Sequence, residues 1–353
     1  MANSSANPGI KITLEDLDKV APANPEPVAA PLLRQEKSYG NISDAAEPQT
    51  IDTPETRARI MLQAWFYLGV AGFCGAFLAW AICEPAFIDG DQARGWGNIW
   101  LLPLMIAMLC IAFGVAESIV ERSVKKAAYR TMLAMPLGIV FGFVFDFTAN
   151  IVFNLGLAMV VSLGTRDNHS PAFWIARAIA WVVFGVAAGL VYGIIGQSAK
   201  KAQYGILGGM LGAGIGGLLF DPIDIVINGA ALSRVFGFSL FGIATGAAMG
   251  VVENALKQKW LYVAAGPLAG KQFILYKQKM TIGSNQQSDI YLFKDPTILP
   301  EHAVVEARGS RMQVRANGPV YVSGQPIHLR VLQDGDFVQI GRYGFRYKEK
   351  QKP

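Results

Sequence analysis

Cysteine and histidine are scarce in this chain of 353 residues, with three of each. Cys74, Cys83 and Cys110 lie in apolar runs, and His169, His302 and His328 stand far apart. Neither a disulfide framework nor a metal centre is encoded by such a set, and no cofactor is expected. Charge is thin as well: 16% of residues are Asp, Glu, Lys or Arg, against roughly a quarter in soluble chains, while 52% are hydrophobic and mean hydropathy is +0.33. A wholly cytosolic enzyme is a poor fit to that composition. Catalytic signatures are missing too: there is no glycine-rich phosphate loop with its lysine, no nucleophile elbow, no paired-histidine protease motif and no kinase signature. The chain is therefore not expected to be an enzyme.

The net charge of +5 is unevenly spread. Residues 1–60 carry −3, residues 61–256 balance, and residues 257–353 carry +8, which divides the chain into three parts. In the first, residues 1–56, prolines at 8, 22, 25, 27, 31, 48 and 54 mix with Ala, Ser, Asn and acidic residues. So little apolar surface cannot offset chain entropy, so disorder is expected. The segment lacks the basic start and apolar run of a secretory signal and is expected to stay in the cytoplasm. Thr13-Leu14-Glu15-Asp16 places a threonine in an acidic context, a candidate kinase target.

In the second part, residues 57–258, six apolar runs are long enough to cross a bilayer, near Ile60–Cys83, Ile99–Ile119, Thr131–Phe153, Phe173–Gln197, Tyr204–Ile227 and Val235–Leu256. Lys and Arg cluster before the first run and after the second, fourth and sixth, which by the positive-inside rule puts both termini in the cytoplasm of an inner-membrane protein. A shift of 75 residues brings Lys125-Lys126 onto Lys200-Lys201, Tyr129 onto Tyr204, Gly142 onto Gly217 and Phe145-Asp146 onto Phe220-Asp221. A further shift of 57 brings Gly189, Gly193 and Lys200 onto Gly246, Gly250 and Lys257. Three repeated helical hairpins are the reading.

Glycines 205, 208, 209, 212, 214, 216 and 217 crowd the fifth span, with pairs at Gly114/Ser118, Gly189/Gly193 and Gly246/Gly250. Small residues four apart let helices approach closely; packing in one bundle, homo-oligomerisation and a moving hinge are the three uses. Polar residues inside spans are functional candidates, here Asp146, Asn150, Asn154, Asp221, Asp224 and Asn228. Asp221 falls near the far interface, and Pro222 after it predicts a break in the helix. The stretch Thr131–Leu163 exceeds one straight crossing, which predicts an interfacial or re-entrant piece over Phe153–Leu163.

In the third part, residues 260–353, short alternating stretches replace the long runs: Phe273–Tyr276, Met280–Ile282, Ile290–Phe293, Ala303–Glu306, Met312–Val314, Val320–Val322 and Phe337–Ile340, punctuated by Gly309, Gly318, Gly324 and Gly335. They predict an antiparallel all-β sandwich. Aromatics such as Phe273, Tyr276 and Tyr291 fall in strand alternation, so the basic charge of this part does not signal nucleic-acid binding.

The order Thr281-Ile282-Gly283-Ser284, Ser288-Asp289-Ile290, Glu301-His302-Ala303-Val304-Val305, Asn317-Gly318, Val322-Ser323-Gly324 and Asp334-Gly335-Asp336-Phe337-Val338-Gln339-Ile340-Gly341 resembles the forkhead-associated (FHA) family over residues 270–348. The resemblance implies a sandwich whose loops at one end bind phosphothreonine peptides, with Gly283, Ser284, Leu299, His302, Asn317, Gly318 and Ser323 at the peptide-binding positions. The family has Arg directly after the first glycine and Ser three residues before the histidine; this chain has Ser284 and Leu299 there, so the two strongest phosphate donors are absent. Phosphate-independent protein binding, residual phosphothreonine binding and a structural cap are the three readings. Arg308, Arg311, Arg315, Arg342 and Arg346 offer phosphate contacts from other loops or a solvated basic face near anionic lipid.

Two functions follow. The preferred one is a membrane-bound recruitment or signalling protein whose FHA-like domain binds a cytoplasmic protein or phosphoprotein, with this chain's own N-terminal tail as one candidate. The alternative is a transporter or channel component whose repeated hairpins enclose a path regulated by the β domain.

Overall fold

The computed structural model describes residues 60–89, 95–162, 164, 170–227 and 229–350. The proposed tail with Thr13, and Asn228 among the polar candidates, lie outside the described residues. Six helices form from the apolar runs: α1 (Ala64–Cys83, followed by a short 3-10 turn Glu84–Ala86), α2 (Trp96–Val120), α3 (Val124–Ser162), α4 (Pro171–Ile195), α5 (Ala199–Val226) and α6 (Ala230–Leu256). All six are long and apolar enough to cross a membrane. Helix satisfies every backbone donor and acceptor within the segment, which hydrocarbon demands.

Each helix packs on its neighbours in sequence, and α6 returns to α1, closing a ring that α2 and α4 also bridge. Glycine faces make the closest approaches. A Cβ built at Gly185 of α4 would overlap the carbonyl of Gly209 on α5, and one at Gly72 of α1 would overlap Gly242 on α6. These glycine faces therefore meet partners inside one bundle. Trp181 stacks on Phe238 at 6.0 Å and meets Phe241 edge-on at 5.0 Å. Around them Leu102, Met105, Ile106 and Phe184 leave only about 10 Å³ of space, so this level of the bundle is packed solid.

Two expectations about helix ends are corrected. No break follows Phe153: α3 runs unbroken for 39 residues to Ser162. That stretch holds helix formers, and its one glycine, Gly156, lies 3.1 Å (from an added Cβ) from Ala176 on α4, so packing continues along it. Pro222 does not end α5, which continues to Val226. Proline there removes one hydrogen bond near the end of the helix, where few later turns depend on it.

The turns before α3 and α5 are alike. Arg122 and Gln197, 75 residues apart, both adopt left-handed backbone, φ 54° and 51°. Ser123 N–H then donates to Ser118 O (3.0 Å) and Ser198 N–H to Gly193 O (3.2 Å). Each serine hydroxyl caps the next helix, accepting from Lys126 N–H at 3.2 Å and Lys201 N–H at 3.3 Å.

Nine strands follow: β1 (Lys259–Ala265), β2 (Gln272–Ile274), β3 (Lys279–Gly283), β4 (Ile290–Tyr291), β5 (Ala303–Arg308), β6 (Arg311–Val322), β7 (Gln325–Val331), β8 (Phe337–Ile340) and β9 (Tyr343–Glu349). Their order is β2-β1-β9-β8-β6-β5-β3-β4, with β7 on β6. Met312–Val314 and Val320–Val322 belong to one strand, β6, whose register shifts between Arg315 and Val320; its first half pairs β5 and its second half β8. Gly318 thus lies within a strand rather than ending one. The bend lets β6 serve both layers of the sandwich. The sheet is not wholly antiparallel, since β3 and β4 run parallel. Tyr343, Phe345, Tyr347, Leu261 and Ile282 are fully buried in its core.

Candidate functional site

Three loops gather at one end of the sandwich around His302, which is 2% exposed. Its Nδ1 accepts the Leu299 N–H at 3.1 Å, which leaves the proton on Nε2, 2.9 Å from the Pro319 carbonyl. The His302 carbonyl accepts the N–H groups of Asn317 (2.9 Å) and Gly318 (3.0 Å). Asn317 Nδ2 donates to Glu301 O at 3.2 Å. Ser284 N–H donates to Leu299 O at 2.9 Å, and its hydroxyl donates to Ile298 O at 2.8 Å. Gly283 carries no side chain because a Cβ there would overlap the Pro300 carbonyl.

Gly283, Ser284, Leu299, His302, Asn317 and Gly318 therefore form one cluster, braced by a buried imidazole. Its outer surface is Leu299, 45% exposed, with exposed Pro300, Asn317 and Pro319. Ser323 is not part of it. That residue follows the end of β6 in left-handed backbone (φ 50°), where its N–H donates to Phe337 O at 2.8 Å and its hydroxyl lies 3.5 Å from Asp336. Of the five arginines, Arg342 stands beside the β4–β5 loop, its Nε 3.6 Å from Asp295. Arg308 and Arg311 face each other at the far hairpin.

Among the described residues, the polar candidates of the spans lie in separate groups. On α3, Asn150 Nδ2 donates to the Asp146 carbonyl (2.9 Å) and carboxylate (3.1 Å), and Asn154 Nδ2 donates to Asn150 O (2.7 Å), all within one helix. Asp221 pairs with Arg177 of α4 at 2.9 Å, and that guanidinium lies over Phe153 and Phe220. Asp224 is exposed. At the same end, Arg234 pairs with Glu84 at 2.5 Å and Asp89 at 2.6 Å.

The opposite ends of the helices carry a second site. Lys201 of α5 donates to Glu117 of α2 at 2.7 Å, and Arg130 of α3 reaches Glu117 at 3.2 Å. Lys126 pairs with Glu121 at 2.8 Å and donates to the Asp289 carbonyl of the β domain at 3.1 Å. Ser123 donates to Gln286 O at 2.9 Å, and Arg122 lies over the Phe293 ring at 5.3 Å. The β3–β4 loop is thus bonded to the α2–α3 turn. Within the β domain, burial would raise the Asp289 carboxyl, but Lys277 at 2.8 Å and the Thr281 N–H at 2.9 Å hold it below the usual carboxylate range. Burial would likewise raise Glu121, yet Lys271, Lys126 and Arg130 keep it low. Burial lowers Lys271, against the pull of Glu121 and Glu117.

The sequence alone assigns no role to Glu117, Lys271 or Ser123. Glu117 carried a signal, a carboxylate one turn inside a span beside Glu121. Lys271 carried none, because its partners are about 150 residues away in sequence. Among the described residues no group of three His, Cys, Asp or Glu side chains could hold a metal ion.

A bundle of membrane-length helices followed by a β-sandwich with a histidine-braced loop cluster defines a two-part protein, an apolar helical bundle joined to a β-sandwich module. Residues 262–351 match the family model described as "Inner membrane component of T3SS, cytoplasmic domain". Over 101 residues the chain is 36% identical to the glycogen accumulation regulator GarA of Mycolicibacterium smegmatis, covering 28% of this chain and 63% of that protein. Over 121 residues it is 33% identical to the oxoglutarate dehydrogenase inhibitor of Corynebacterium efficiens, covering 33% of this chain and 82% of that one. Among solved structures, the FHA domain of the CT664 protein from Chlamydia trachomatis is 26% identical, with a TM-score of 0.25, covering 27% of this chain and 99% of that chain. The chain belongs to the forkhead-associated family, and its β domain is the segment that does so.

Proposed function

We propose that this chain is a membrane-resident docking protein whose FHA domain, held on the cytoplasmic ends of six spanning helices, captures a protein partner through the Leu299 loop cluster. The observation that carries this reading is the chemistry of that surface. The Ser284 hydroxyl is engaged by the Ile298 carbonyl, and an exposed leucine stands where the family places a phosphate-binding serine. An apolar side chain on a braced loop suits a protein contact better than a phosphate. The family description of an inner-membrane component, and relatives named as a regulator and an inhibitor, support an interaction role. A transport path has less behind it: Asp221 is paired with Arg177, and the bundle is packed solid around Trp181.

The test is a crosslinked pull-down from membranes with the full chain and with Leu299→Glu. Loss of the captured partner in Leu299→Glu supports the reading; unchanged capture removes this surface. Titrating phosphorylated and unphosphorylated peptides spanning Thr13 separates phosphate reading from plain docking, and equal affinities end the phosphothreonine version.

A further inference from the structure

A cavity of about 640 Å³ lies where the cytoplasmic helix ends meet the β domain, within the size range of small-molecule sites. Its wall carries seven Lys or Arg side chains against four carboxylates. The basic residues are placed against the helix dipole: Lys125 and Lys126 occupy the first turn of α3 and Lys201 that of α5, with no acidic residue in either turn, although Lys126 reaches Glu121 and Lys201 reaches Glu117 at the end of α2. Positive charge at a helix N-terminus is unfavourable and becomes favourable when an anion sits beside it. Glu117 is already saturated by Lys201 and Arg130.

Two residues of the cavity wall carry buried donors that lack a hydrogen-bond partner among the described residues. Lys271 is 5% exposed, and its Nζ has no hydrogen-bond partner among the described residues; the nearest carboxylate oxygen, on Glu121, is 3.8 Å away. The Tyr276 hydroxyl is also buried without a partner. Glu121 and the Phe273 ring, 4.6 Å from Nζ, meet the charge of Lys271 but supply no hydrogen bond, and a buried donor left unbonded is costly unless an acceptor reaches it.

We infer that this cavity binds a phosphate-bearing anion, through Lys271 and Tyr276, at the seam between helices and sandwich. Phosphate supplies the several acceptor oxygens and multiple negative charges that the excess of cations and the two free donors require. Its source is either a free phosphorylated compound or an anionic lipid headgroup, which would arrive at the same depth. The site is separate from the loop cluster around His302, none of whose residues lines it.

The experiment uses the full chain. Pyrophosphate is titrated into protein in neutral detergent, and in parallel the protein is reconstituted in nanodiscs of phosphatidylcholine with or without phosphatidylglycerol. Thermal unfolding midpoints are read throughout, with native mass spectrometry for retained lipid. Wild type and the exposed-hairpin control Arg311→Gln are expected to gain stability from one of the two probes. A response to pyrophosphate alone assigns a free compound, and a response to phosphatidylglycerol alone assigns a headgroup. Lys271→Met is expected to bind about 10- to 100-fold more weakly, as when a charge-assisted hydrogen bond is lost, while without ligand it unfolds no lower than wild type. Tyr276→Phe, a smaller change, is expected to weaken binding about 2- to 10-fold and serves if Lys271→Met does not fold. No response of wild type to either probe, or an undiminished response in both variants, overturns the assignment.

Discussion

A Cβ on Gly318 would stand 2.5 Å from Cε1 of His302, so the glycine and the imidazole fit only as a pair. The ring fills the space a side chain would take and in return fixes the loops on either side, through Leu299 N–H and the Pro319 carbonyl. The proposed docking surface is thus shaped by a residue that does not itself reach the surface.

His302→Ala leaves two backbone groups unbonded and should destabilise the sandwich by about 2–3 kcal/mol, with faster amide exchange at Leu299. Gly318→Ala should be damaging alone but milder in the His302→Ala background, since the clash is then gone. A double-mutant cycle on unfolding free energies measures this coupling; strict additivity would contradict the pairing.

How much of this was legible beforehand differs between the parts. Six apolar runs announce six helices because hydrocarbon selects for composition and length, and the ends of α1, α2 and α4 fall within a few residues of expectation. The length of α3 was not legible, since proline and polar residues mark a break only where packing does not override them. Alternating stretches placed β2, β3, β4, β5, β8 and both halves of β6, while β1, β7 and β9 were missed because Lys259–Ala265 and Gln325–Val331 mix charge with β formers. Contacts such as Lys126 to Asp289, 163 residues apart, have no local signature at all.

Helix contact by glycine makes a second prediction. Gly185→Val must push the backbone of α5 away and should lower stability in detergent by at least about 1–3 kcal/mol. Gly69→Ala, where the nearest atom to the new Cβ is Ala247 Cβ at 3.5 Å, should be neutral or gain roughly 0.5–1 kcal/mol from helix propensity. Equal effects of the two substitutions would show that α4 and α5 are not in backbone contact.

Asp289 sets a pH dependence. Its folded carboxyl titrates below the ordinary value, so its contribution is complete above the unfolded value of about 4 and is lost as pH falls through the lower folded value. Asp289→Asn should therefore cost about 1–3 kcal/mol near neutrality, and the gap to wild type should close in acid. Unfolding midpoints of both proteins from pH 7 to strongly acidic buffer decide it; a constant gap would mean the carboxylate charge is not used.

The charge clusters at the ends of α2, α4 and α6 give the orientation proposed above. A reporter fused after Pro353 should be active only in the cytoplasm, and a periplasmic signal would reverse both the topology and the docking proposal.

One helix exceeds the others. With 39 residues, α3 is about 58 Å long at 1.5 Å per residue, against roughly 30 Å of hydrocarbon. Its large apolar side chains are exposed from Met132 through Val140, Phe147 and Leu155 to Met159 and Val161. Inside a bilayer so long a greasy rod must lean, swell the surrounding lipid or protrude. In a bilayer the thickness of the host membrane would act on the bundle directly, and acyl-chain length would become a variable of its stability.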